Sequence, residues 1–323
     1  MNFEPLSKAG TVEGYCLIKT VERKITAKGI PFLDMSLTDS DGEIVGKLWD
    51  YKEELHGEFK PNDLIKIRGS ITTFNDAPQL RVERIRHVTE KDDVNIDDFV
   101  PSAGFKGESM FNEIMTVVNN FDDEDLKLLV STILNDYKKK LLYWPAAFRL
   151  HHAVRGGLLY HTLSILRMAQ AAANIYPFVD SSLLFAGVIL HDIAKTKEFE
   201  VAETGIASGY TVEGNLVGHL VMGAMIVEEY AKKLNINKDT AMLLEHMIIS
   251  HHGEPEFGAA VRPMFLEAEI LSELDTLDAK VYEIEQACRG VEEGEFTQRQ
   301  WALDNRKLYN HGRNDKDFIA NLI

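Results

Sequence analysis

Cysteine is nearly missing from this 323-residue chain: only Cys16 and Cys288 occur. So far apart, they match no paired metal or redox spacing, which sets aside a disulfide scaffold and leaves both as small core residues. Long apolar runs are missing too. SSLLFAGVIL at 181–190 is far shorter than the roughly 20 residues that cross a bilayer. MNFEPLSKAG at the start lacks a basic region followed by an apolar core, so a cytoplasmic protein with no membrane segment is expected. Positive charge is scarce as well: 35 Lys and Arg against 51 Asp and Glu give a net charge of −16, an argument against a broadly basic surface. The deficit is uneven. Residues 1–90 carry 13 basic and 15 acidic side chains, leaving 22 and 36 behind them, so the front end can still present a local basic face.

The length and the 45% hydrophobic content allow two domains with cores of their own. Residues 12–90 alternate apolar and polar positions between turn signals such as DSDG and FNDAPQ, which predicts about five short strands. A small OB-like β-barrel over 1–90 is the preferred reading, because such barrels display aromatic and basic side chains on one face. The candidates for that face are Phe32, Trp49, Tyr51 and Phe74 with Lys47, Lys66, Arg68 and Arg81. The acidic, Pro- and Gly-punctuated stretch 91–108 suits a linker. From Ser109 the apolar period becomes helical, as in LKLLVSTILNDYKKKLL and HTLSILRMAQAAANIY, so 109–323 is expected to be an all-helical domain. EVAETGIASGYTVEG interrupts it as a hairpin or loop.

Within FAGVILHDIAKTKEF, at 185–199, a histidine and an aspartate end an apolar run, where burial costs several kcal/mol unless something pairs with them. They belong to an ordered series: His161, His191 with Asp192, His219, His251 with His252, then Asp275. The gaps approximate one helix plus its connection, so each member comes from a different helix, as metal sites in helical cores do. Two clusters can be composed, His161, His191, Asp192 and Asp275 around one ion, and His219, His251 and His252 around a second with Asp192 shared. Mixed imidazole and carboxylate ligation favours Mn, Fe, Co or Zn over Mg or Ca. Such ions activate water and neutralise phosphate oxygens, which implies phosphate-ester hydrolysis with Asp192 at its centre. A lone helical histidine is more often a hydrogen-bonded residue than a ligand, and His56, His87 and His311 are read so. His151, His152 and His246 either line the site or pack beside it.

Lys195 follows Asp192 by about one turn and can reach a substrate phosphate. Gly156 and Gly157 would let phosphate approach a helix start, or serve only a tight turn; Arg155 is a further phosphate candidate.

The segments GGLLYHTLSI, VILHDIAKTKEF, YTVEGNLVGHLVMG, ISHHGEPEFGA and PMFLEAEILSELDTLDAK resemble the HD-domain superfamily of metal-dependent phosphohydrolases. Together with the barrel they resemble, over nearly the whole chain, the bacterial YhaM-type 3'-5' exoribonucleases. The resemblance implies removal of nucleotides from single-stranded 3' ends of RNA, and of DNA by extension, with one or two Mn or Co-like ions. It puts primary metal ligands on His161, His191, Asp192 and Asp275, second-site ligands on His219, His251 and His252, and Asp278 behind them. The alternatives are hydrolysis of a small nucleotide or cyclic dinucleotide, with the barrel used for assembly or regulation, and a non-catalytic single-strand binder with a structural metal. Homo-oligomerisation stays open.

Overall fold

The computed structural model describes residues 10–39, 42–74, 77–89, 91, 92, 94–148, 152–314, 320, 322 and 323. His151 lies outside the described residues. The chain divides into two compact units: one runs to Ser102 and includes Val201–Ser208, the other holds Ala103–Glu200 and Gly209–Ile323.

The first unit is a closed five-stranded barrel in the order β1-β2-β3-β5-β4, the OB-like fold expected. Its strands are β1 (Thr11–Ile25), β2 (Pro31–Thr38), β3 (Glu43–Leu48), β4 (Leu64–Phe74) and β5 (Ala77–His87), with a short helix α1 (Glu53–His56) before β4. The long β1 serves two neighbours, pairing through Thr11–Leu17 with β4 and through Leu17–Ile25 with β2. A register shift between Ile18 and Thr20 lets it bend from one to the other. Closure comes from a parallel pairing of β3 with β5, Val45 opposite Gln79 and Leu48 opposite Val82. A second shift, between Arg68 and Gly69, tightens β4 against β5; a Cβ on Gly69 would lie 2.3 Å from the Arg81 carbonyl oxygen. Alternate residues point inward, so Ile18, Met35, Leu37, Ile65, Ile67 and Leu80 fill the barrel. Part of the stretch read as a linker packs as well: Val94, Ile96 and Phe99 lie against a cluster of Leu17, Leu64 and Val100.

The second unit is helical: α2 (Gly107–Asn119), α3 (Glu124–Leu141), α4 (Gly157–Ile175), α5 (Ser181–Leu190), α6 (Lys195–Glu198), α7 (Val212–Leu216), α8 (Gly218–Leu234), α9 (Lys238–Ser250) and α10 (Leu266–Arg289). The interruption is a hairpin of β6 (Phe199–Val201) and β7 (Ala207–Tyr210). Helix α5 organises the unit. It is apolar all round, buried from Ser182 to Leu190 with only Phe185 partly exposed, and it packs against α3, α4, α9 and α10. Asp180 caps its start by accepting from the Leu183 amide at 3.0 Å. Its far end therefore delivers His191 and Asp192 into the middle of the bundle.

Candidate metal centre

Each donor except Asp275, which lies inside a helix, is set by an element end or an early helical turn. Helix α4 is preceded by its cap Gly156, whose φ of +72° suits glycine, and Gly157 lies so near the preceding turn that a Cβ there would meet the His152 carbonyl oxygen at 2.0 Å. The tight turn thus accounts for both glycines, and His161 follows in the second turn. Past α5 the chain turns: the Lys195 amide donates to the Asp192 carbonyl at 3.0 Å, Trp144 Nε1 to the Lys195 carbonyl at 2.8 Å and Lys140 Nζ to the Thr196 carbonyl at 2.8 Å. His219 starts α8, His251 and His252 follow α9, and Asp275 lies within α10.

Five imidazoles share one arrangement. Nδ1–H of His191 donates to the Val188 carbonyl at 2.8 Å, that of His251 to Ile248 at 2.7 Å and that of His252 to Phe257 at 2.9 Å. His161 Nδ1 donates to Asp278 Oδ2 at 2.7 Å, and His219 Nδ1 to Glu198 Oε1 at 3.0 Å. Carbonyl and carboxylate oxygens only accept, so the proton sits on Nδ1 in every ring and Nε2 is left to face the centre.

The donor atoms of His161, His191 and Asp192 lie within 4.8 Å of one another, as do those of His219, His251 and His252, and of His191, His251 and Asp275. Asp192 faces both sides. Its Oδ2 is 3.3 Å from His191 Nε2 and 3.7 Å from His161 Nε2, while Oδ1 is 3.5 Å from His219 Nε2 and 3.7 Å from His251 Nε2. Asp275 Oδ1 completes the first group at 3.1 Å from His161 Nε2.

These residues fit divalent cations. Asp192 Oδ1 and His251 Nε2 are buried with no hydrogen-bond partner, a costly state for polar atoms unless an ion meets them. His219 and His252 point Nε2 at each other across 3.3 Å, and two ring lone pairs at that range repel unless a cation draws them together. Burial, with the facing histidines, holds His251 and His252 below the usual imidazole range, which keeps them neutral donors. At His161 burial opposes charge, but Asp275 and Asp278 outweigh it and raise the pKa to about 10, so without metal a proton sits where a cation would. Burial likewise opposes ionisation of Asp192, yet Lys195, His191 and His219 hold it well below the carboxylate range.

Lys195 is buried, its ammonium 2.6 Å from Asp192 Oδ2. Burial disfavours its charge, and Asp192 more than offsets this and raises its pKa. Arg155 is half-buried with its guanidinium over the Tyr143 ring at 5.4 Å.

Two supports escaped the sequence reading in whole or part. Glu198 is buried and accepts from both the His219 backbone amide at 3.1 Å and the His219 ring. Its only signal is position, six residues after Asp192. Asp278 collects His161, His152 Nε2 at 2.8 Å and the Ser164 hydroxyl, so it orients His161. His152 is thereby fixed beside the centre, its ring centre 4.1 Å from that of Tyr282 and tilted 45° to it. His246 lies apart, Nε2 accepting from the Met264 amide at 3.0 Å and the ring on Phe265.

On the barrel, Lys47 Nζ is 5.7 Å from the ring centres of Phe32, Trp49 and Phe74. Phe32 and Trp49 stack at 4.7 Å, which leaves Phe32 only 8% exposed against 39% for Trp49 and 59% for Phe74. Arg81 pairs with Lys47 across the parallel ladder. Tyr51 departs from expectation: it is buried in the barrel core and donates its hydroxyl to the Gly57 carbonyl at 2.8 Å. Lys66 and Arg68 sit elsewhere, lining a cavity of about 490 Å³ with Glu13, Arg84 and Arg86.

A helical bundle with paired His and Asp donors at its centre is the signature of an HD-domain metal-dependent phosphohydrolase, and the family model for the HD domain matches residues 158–280. The 3'-5' exoribonuclease YhaM of Bacillus licheniformis is 37% identical over 92% of this chain and 94% of its own length, and that of Bacillus subtilis likewise. The chain belongs to the YhaM family of 3'-5' exoribonucleases. A weaker likeness is to the second OB-fold domain of replication protein A from Methanococcus maripaludis, with 17% identity, a TM-score of 0.21, and coverage of 29% of this chain and 100% of that one.

Proposed function

We propose that this chain is a metal-dependent exonuclease that hydrolyses phosphodiester bonds from the 3' end of single-stranded RNA. The observation that carries the reading is the shared Asp192, with one oxygen toward His161 and His191, which Asp275 adjoins, and the other toward His219 and His251, which His252 adjoins. In this reading those seven residues would hold one or two divalent ions. Such ions supply a water acidic enough to attack at neutral pH and neutralise the non-bridging phosphate oxygens. The mixed nitrogen and oxygen donor set favours Mn, with Co, Fe or Zn as substitutes.

The chain's own residues supply the rest. Lys195 adds a fixed positive charge beside Asp192, able to meet charge that develops on the phosphate. Asp278 and Glu198 keep His161 and His219 turned inward. Trp49 and Phe74 offer stacking surfaces to bases and Lys47 a cation to a phosphate, a combination that holds any single-stranded sequence. The working compartment in this reading is the cytoplasm.

The test is direct. End-labelled single-stranded RNA and DNA are incubated with the purified protein, with and without Mn, and resolved on a gel. A ladder shortening from the 3' end only with metal is expected; internal cuts, shortening from the 5' end, or indifference to chelation would overturn the reading.

A further inference from the structure

Beyond α10 the chain builds a small platform that neither the barrel nor the metal centre uses. Residues 294–310 fold back on themselves, Phe296 bridging to Tyr309 and Gln300 to Arg306 in antiparallel fashion. The Thr297 amide donates to the Leu308 carbonyl at 2.8 Å, and the Leu308 amide to Thr297 Oγ1 at 3.1 Å. Thr297 and Leu303 are buried, and Asn310 Nδ2 ties the base to the Val291 carbonyl at 2.7 Å. On this ordered frame three aromatic rings face outward: Trp301 is 73% exposed, Phe296 61% and Tyr309 50%. Phe296 and Tyr309 lie 5.0 Å apart. The cost of leaving such rings in water asks for a partner.

Charge selects the partner. From Phe296 to Arg313 the chain carries Arg299, Arg306, Lys307 and Arg313 against the single acid Asp304, in a protein whose net charge is −16. All four cations are exposed. The acids Glu292, Glu293 and Glu295 precede Phe296 and line the cavity at the root. An apolar protein partner would have to desolvate the four cations, whereas a single-stranded nucleic acid uses them and stacks its bases on the rings. Lys47 among Phe32, Trp49 and Phe74 repeats the same chemistry on the barrel. Helix α10 carries both Asp275 and the root of the platform, 14 residues apart at Arg289, a rise of about 21 Å.

We infer that the 294–313 platform is a second contact for single-stranded RNA, holding the strand on the metal-bearing unit through Trp301, Phe296 and Tyr309 with Arg306 and Lys307. This rests on the exonuclease reading. The test uses full-length protein with chelator and a fluorescent 20-nucleotide RNA, its affinity read by anisotropy across a salt series. Trp301→Ala with Tyr309→Ala is expected to weaken binding about tenfold or more. Arg306→Glu with Lys307→Glu is expected to weaken it too and to reduce the slope of log K against log salt by about 1.4, since two phosphates of the single strand are then no longer neutralised. In both variants Mn-dependent turnover of a chromogenic aryl phosphodiester and the size of the protein in solution are expected to stay unchanged. Affinity and salt slope equal to wild type would overturn the inference. So would a loss of affinity accompanied by a smaller assembly, which assigns the rings to contacts between copies. Wild-type protein that does not bind RNA at all would instead remove the exonuclease reading beneath it.

Discussion

Glu198 and Asp278 decide the direction in which two imidazoles point, although neither faces the centre itself. Replacing a carboxylate that orients a ligating histidine typically costs 10–100-fold in metal affinity. Glu198→Gln and Asp278→Asn are therefore expected to weaken Mn binding by about that factor, read by metal titration of the chelator-treated protein. Affinity equal to wild type would show that His219 and His161 hold their orientation without these supports. The same contacts set a pH window for the metal-free fold. His161 has a folded pKa of about 10, above its ordinary 6.5, so its pairing stabilises the fold fully below pH 6.5 and is lost as pH rises through about 10. Asp278 is the other end of that pair: burial opposes its charge, yet His152 and His161 depress it, so its contribution is present above pH 3.8 and lost as pH falls further. The thermal midpoint in chelator is expected to fall at both extremes, and Asp278→Asn to flatten the alkaline limb. An unchanged alkaline limb in that variant would detach His161 from the pH response.

Helix starts and ends carry the site, so small changes there reach it. Gly157→Ala puts a Cβ against the His152 carbonyl, a backbone atom with no rotamer to escape through. The expected cost is about 1–3 kcal/mol in urea unfolding, the usual penalty for overpacking, with weaker Mn binding as α4 and His161 shift. A stability equal to wild type would mean the turn relaxes freely. At this scale much was legible in the sequence. Helical periodicity revealed the bundle, and the regular gaps between the histidines and aspartates, about one helix and its connection each, revealed the series from His161 to Asp275. Glu198 was not legible, since a lone glutamate has no period and its meaning depends on α6 turning it toward the start of α8. Tyr51 misled for a related reason: β3 ends at Leu48, alternation stops there, and the ring that would follow Trp49 outward turns into the core instead. Arg68 was grouped with Lys47 by residue type, yet the register shift after it and its pairing with Arg84 set it on another part of the barrel. That Asp192 is shared was legible in the series, but which oxygen serves which side was not: Oδ2 lies toward His161 and His191, Oδ1 toward His219 and His251.

Over the whole molecule, the chemistry divides between a near-neutral barrel with a cationic aromatic face and an acidic helical unit with the metal donors. A division of labour makes a prediction that depends on substrate length. Stacking is worth about 1–3 kcal/mol per base, whichever base it is, and a small diester has no bases to stack. Trp49→Ala with Phe74→Ala is therefore expected to lower kcat/KM on long single-stranded RNA about tenfold or more, chiefly through KM, while turnover of a chromogenic diester stays within about twofold. Both side chains are exposed and outside the barrel core, so the variant should fold; its unfolding midpoint checks this. Asp192→Asn is the complementary case, because it removes the charge both groups of histidines share: hydrolysis of both substrates should vanish while single-strand binding persists. Equal losses on both substrates in the barrel variant would make the barrel a support for the fold or its assembly, and the acidic unit would then select its substrate alone.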